Sequence, residues 1–149
     1  MAGAIAAAGK KGHVVCGLEL AGRSATYAWK REHHAEDMEF TTLFPDKVAE
    51  QVSSWLVFRG VKRYFQEHPA DVLFVPSYWP AYVFAATLAA RSCGLRVVIM
   101  AESHYATGRN SGMLVFAKRA LVRLYGSAMV GGSAQRSFFR YLGMPPTHI

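Results

Sequence analysis

The sequence predicts an α/β domain, a mostly parallel sheet with helices on both faces. Three observations predict it. Short apolar runs of strand length recur as HVVCGLEL, MEFTTLF, VLFVP, VVIMA and SAMVG. Stretches with apolar residues at helical spacing stand between most of them. The loops joining them are mostly short, which suits right-handed crossovers between parallel strands.

Met1–Gly9 reads as the tail of a helix, with Gly9 as its left-handed stop. The first strand is expected over His13–Leu20, and its polar end, Glu19 to Arg23, opens a long loop. The second is expected over Met38–Phe44, closed by Pro45. Asp46 follows as a helix cap, because its carboxylate can accept from the free amides of a first turn. That helix carries Val48, Val52, Trp55, Leu56, Val61 and Tyr64. It stops at His68-Pro69, since the residue before a proline is pushed out of helical space.

Asp71 opens the third strand, VLFVP. The segment from Ser77 to Gly94 reads as a helix with Pro80 in its first turn and Gly94 just past its end. It is apolar nearly all round and is expected to be largely buried. The run Val97 to Ala101 is β-branched and apolar, as in a strand covered on both faces. Polarity then inverts through Glu102, Ser103, His104, Tyr105, Thr107, Arg109 and Asn110. Asn110 or Ser111 is expected to cap a helix through Met113, Phe116, Leu121 and Leu124. Ser127–Gly131 is a fifth strand, Ser133 caps a last helix that stops at Gly143, and Thr147–Ile149 opens another strand. This fold usually opens with a strand and the chain opens with a helix. Residues 1–149 are therefore expected to be a single α/β domain cut from a longer sequence, its first strand missing.

The 149 residues suit one core. With 52% hydrophobic and 18% charged residues the chain is globular and not disordered. A net charge of +7 and a pI near 9.7 favour anionic partners without choosing among them. Cys16 and Cys93, far apart and without a CxxC, read as buried free thiols in a reducing compartment. No stretch has the roughly 20 apolar residues of a spanning helix. The N-terminus lacks the basic start and cleavage pattern of a signal peptide. The chain is read as cytoplasmic.

The succession from Asp71 to His104, the apolar–basic helix with Lys118-Arg119, and the stretch from Tyr125 to Ile149 resemble the N-terminal domain of GT-B glycosyltransferases. The likeness is to the retaining group-1, or family 4, branch. Ser127–Ser133 matches that family's strand-and-serine element, and Leu142–Ile149 its "L-G-x-P-x-x-K-I" ending, with His148 where Lys is frequent. The match is looser over His13–Pro45. The resemblance implies a Rossmann-like three-layer domain on the acceptor side of an interdomain cleft. It implies a nucleotide-sugar donor held by a C-terminal domain, a sugar or lipid-linked acceptor, and no cofactor. Retaining transfer in this group needs no protein nucleophile from the N-domain, which positions the acceptor and complements developing charge.

In an open α/β sheet, ligands sit at the carboxyl ends of the strands, so the loop after Val97–Ala101 is the foremost candidate site. His104 is the candidate catalytic residue, able to donate to a sugar hydroxyl or a phosphate oxygen; the alternative is a loop histidine bonded to backbone. Glu102 and Ser103 are candidate acceptor contacts, though Glu102 can equally pair with Arg96 or Arg109. Arg109 and Asn110 precede a helix start, where free amides favour anions, and Asn110 can serve simply as a cap. Ser133, behind Gly131-Gly132, repeats that arrangement. Tyr78 and Trp79 follow a strand end and either stack on a sugar or plug the core. Glu19 and Arg23 sit at another strand end. His33-His34 with Glu36 and Asp37 lacks metal-ligand spacing, so no metal is expected. The basic helix with Lys118, Arg119 and Arg123 can dock on an anionic membrane at its inner face or present a solvated face.

Two other classes compete. One is a non-catalytic α/β module binding a phosphorylated ligand or a protein partner. The other is nucleic-acid binding, for which no motif is present. A dinucleotide-binding domain is disfavoured, because no G-x-G-x-x-G is present.

Overall fold

The computed structural model describes residues 12, 14–25, 39–102 and 112–149. The expected helix over Met1–Gly9 lies outside them. The chain is α/β with parallel strands, as its pattern predicts, and it divides into two compact units, Met1–Ser53 and Ser54–Ile149. Among the described residues the expected single sheet is two sheets, because the first two strands pair only with each other.

In the first unit β1 (Cys16–Arg23) pairs in parallel with β2 (Glu39–Val48). Both strands run past their expected ends. The register steps from Cys16↔Glu39 to Ala21↔Phe44, then breaks and resumes at Arg23↔Val48. Pro45 was expected to close β2 but lies inside it, within the break, where a proline's missing N–H leaves no gap in the ladder. Asp46 is consequently in a strand and caps no helix. Only a single 3-10 turn, Ala49–Gln51, follows, closed by Val52 N–H donating to the Ala49 carbonyl at 3.2 Å.

In the second unit α1 (Ser54–Glu67) buries Val57, Val61 and Phe65, a stripe at four-residue spacing. It packs along α2 (Ala81–Ser92), whose buried Ala85 and Ala89 allow close approach. Pro80 precedes the first turn of α2. Gly94, with φ +86°, ends it. The Gly94 amide donates to Arg91 O at 3.0 Å and the Leu95 amide to Ala90 O at 3.1 Å, the paired bonds of a Schellman stop. Gly143 does the same for α4 (Ser133–Tyr141), with φ +99°, its amide donating to Arg140 O and the Met144 amide to Phe139 O.

Three parallel strands form the second sheet: β3 (Val72–Pro76), β4 (Arg96–Ala101) and β5 (Ser127–Val130), with β4 in the middle. Alternation along them seals one face with Val75, Val97, Ile99, Ala101 and Ala128. The other face is more open, and Phe74 and Met129 on it are each 53% exposed. Helix α3 (Gly112–Val122) connects β4 to β5 and buries Val115 and Val122. Phe138, Phe139 and Leu142 anchor α4. The expected strand at Thr147–Ile149 is instead a 3-10 turn over Pro146–His148, because no neighbouring strand is there to pair with it among the described residues. Cys93 is half-buried and Cys16 is exposed at the start of β1, so the expected burial fails for Cys16; both thiols are free.

Two predictions follow from this packing. A Cβ at exposed Gly22 would run into the Pro45 carbonyl oxygen, and backbone cannot swing aside. Gly22→Ala is therefore expected to destabilise the first unit by about 1–3 kcal/mol in urea titration. At Gly17 the obstacle is the Phe40 ring, a side chain that can move, so Gly17→Ala should cost less.

The second concerns Tyr125. Its hydroxyl is buried without a hydrogen-bond partner among the described residues, and the neighbouring Thr87 hydroxyl donates to Val83 O at 3.0 Å. Burial pushes the phenol up, Thr87 offsets part of the rise, and Tyr78 adds to it. Above about pH 10 the unfolded chain therefore loses this proton before the folded one, and stability falls as pH rises. Tyr125→Phe should remove that alkaline component and gain on the order of 1 kcal/mol near neutral pH, read from thermal melts across pH.

Candidate functional site

Because β3, β4 and β5 are parallel, their carboxyl ends share one edge, where the chain must turn from strand to helix three times. Ser77 follows β3 with φ +69°, a left-handed conformation that costs a non-glycine residue about 1–2 kcal/mol. Its amide still donates to Met100 O at 2.9 Å, so the turn begins immediately after the ladder ends. Past it, Tyr78 is half-buried beside the Tyr125 phenol, whereas Trp79 is 72% exposed. Tyr78 is thus partly withdrawn from solvent, and Trp79 is the more exposed of the two aromatics.

Glu102 is the first residue beyond β4 and is exposed. Its carboxylate makes no ion pair with any described residue, Arg96 included. Its backbone carbonyl accepts from Gln135 Nε2 at 3.3 Å, which ties the end of β4 to the first turn of α4. There Gly132, not Ser133, is the N-cap, and no side chain caps the helix. The expected capping role of Ser133 fails because the serine is already the first helical residue. Ser133 is exposed and lines a hollow of about 300 Å³ together with Val130, Gly131, Gly132 and Arg136. Arg136 reaches this hollow from one turn into α4, its amide bonded to Gly132 O at 3.0 Å.

The edge therefore brings Ser77 together with Glu102 and Ser133 of the expected contacts, and adds Gln135 and Arg136. The latter two carry no sequence signal beyond standing one helical turn after a glycine pair, since their placement depends on where the helix starts. Ser103, His104, Arg109 and Asn110 lie outside the described residues. Glu19 was expected at a strand end but sits in the middle of β1, where its Oε2 accepts from Thr42 Oγ1 at 3.0 Å across the β1–β2 pair. The cause is the extension of β1 to Arg23 by its pairing with β2. Glu19 belongs to the β1–β2 sheet.

A second hollow, of about 410 Å³, lies at the opposite edge among Ala70, Asp71, Val72, Cys93, Gly94 and Arg96. It is larger, but the strands begin there: the Arg96 amide is already bonded to Asp71 O at 3.0 Å and the Gly94 amide to Arg91 O, so few backbone donors are left for a ligand. At the carboxyl edge, among the described residues, no side chain caps the start of α4, which leaves donors of its first turn for a ligand. Among the described residues no group of His, Cys, Asp and Glu could hold a metal ion. What the edge can do chemically is bind: an exposed carboxylate to accept from hydroxyls, a guanidinium and helix amides to meet an anion, and an exposed indole to stack. No protein-family model and no curated protein matches this chain.

Proposed function

We propose that this chain is the acceptor-side domain of a glycosyltransferase that moves a sugar from a nucleotide-sugar donor to an acceptor hydroxyl. The observation that carries the reading is the meeting of Ser77, Glu102, Ser133 and Arg136 on one carboxyl edge, braced by the Gln135–Glu102 bond. An acceptor sugar is a ring with hydroxyls, and the edge offers a carboxylate for the hydroxyls and Trp79 for the ring face. Arg136 with the amides of the first turn of α4 supplies positive potential where a phosphate would approach.

In this reading the domain contributes position more than bond chemistry. The donor's phosphate takes the acceptor proton, and the domain holds the attacking hydroxyl in line. His104, two residues after Glu102 in the sequence, donates to the oxygen on which charge develops. A second domain holds the nucleotide sugar, and a cytoplasmic setting goes with such a donor.

The test is sugar transfer by the full gene product from nucleotide-sugar donors to saccharide or lipid-linked acceptors. His104→Ala and Glu102→Gln are each expected to lower kcat/KM at least about tenfold, equivalent to about 1.4 kcal/mol of transition-state stabilisation. Arg63→Ala, on the exposed face of α1, should leave it unchanged. No transfer by the wild type, or full transfer by both edge variants, would overturn the reading.

A further inference from the structure

Helix α3 turns Val115 and Val122 inward, but it presents Met113 and Phe116 to solvent, 87% and 77% exposed. Three residues apart, these two share a side of the helix, and Ala120 continues the strip one turn on. Arginines border it. Arg119 lies over the Tyr141 ring at 5.1 Å and donates to Tyr141 O at 3.1 Å, which joins the partly exposed Tyr141 of α4 to the same surface. Arg123 follows one turn later and is exposed. The charge is one-sided: no Asp or Glu occurs after Glu102, while Arg109, Lys118, Arg119, Arg123, Arg136 and Arg140 do. Six units of the net charge of +7 thus fall in the last third of the chain.

We infer that α3 docks this unit on an anionic lipid surface. Met113 and Phe116 enter the boundary between headgroups and acyl chains, and the arginine stems lie along it with their guanidiniums among lipid phosphates. Charge complementarity selects the occupant, since the surface has arginines and no carboxylate to oppose an anionic headgroup. The apolar side chains separate a bilayer from the other anionic partner, nucleic acid, whose phosphates give protruding Met and Phe nothing to enter. A protein partner needs a patch of about 800 Å² per side, whereas Met113, Phe116 and Ala120 with the partly exposed Tyr141 make a narrow strip that suits insertion. The inference stands on α3 and α4 alone and is independent of the transferase reading.

Co-sedimentation of this chain with phosphatidylcholine vesicles, with and without phosphatidylserine, tests it. Binding is expected only with phosphatidylserine. The M113S/F116S variant, altered solely at exposed positions, should bind at least tenfold more weakly with an unchanged circular dichroism spectrum. R119Q/R123Q should weaken binding and flatten its salt dependence. The inference is overturned if no binding to phosphatidylserine vesicles is seen, or if M113S/F116S binds as the wild type does. Binding of a single-stranded oligonucleotide in place of vesicles would equally overturn it.

Discussion

The second unit depends on β4 being hydrogen-bonded on both sides. Its residues pair with β3 from Val72↔Arg96 to Pro76↔Met100 and with β5 from Val98↔Ser127 to Ala101↔Val130. Val97 and Ile99 are thereby carried fully out of solvent, in line with Val75 and Ala128 on the sealed face. A slip of one residue would exchange them for Arg96 and Val98, so the buried face and the register enforce each other. Parallel pairing also dictates the rest. Each strand must return to the same edge before the next begins, and the returns are α2 and α3. The ends of the ladder are extended by single bonds, Ser77 to Met100 on one edge and Gly126 to Val97 on the other. What remains at the carboxyl edge, among the described residues, is the turn at Ser77 and the Gly131-Gly132 turn before α4, whose start no described side chain caps.

Much of this unit was legible in the sequence because its boundaries have local causes. Gly94 and Gly143 take left-handed conformations that their own helix stops require, and Pro69 and Pro80 act on the residue beside them. Such signals are read from three or four neighbouring residues. The stretch from Pro45 to Ser53 was misread because its structure has a distant cause. Pro45 and Asp46 look locally like a strand stop followed by a helix cap, yet Arg23 pairs with Val48 and holds the chain extended through both. The same pairing moved the end of β1 beyond Glu19 and cost that residue its expected place. At the candidate site Glu102 was legible as the first charged residue after an apolar strand. Arg136 was not, since only a helix beginning at Ser133 brings it back to the glycine pair.

The helix stops and the sheet register together place the two proposed surfaces. The Gly126 amide bonds to Val97 O near the start of β4, so the chain leaving α3 arrives at the amino edge of the sheet. Helix α3 has eleven residues and, at about 1.5 Å per residue, spans about the length of the strands it connects. A crossover helix runs antiparallel to its strands, so the first turns of α3 stand at the carboxyl edge. Met113 and Phe116 are in those first turns. The surface inferred to meet lipid and the edge proposed to hold an acceptor are therefore neighbours at one end of the sheet. Taken together, the two readings put the acceptor's hydroxyl at the level of the headgroups. On those two proposals together, a lipid-linked sugar is the acceptor that both surfaces would serve.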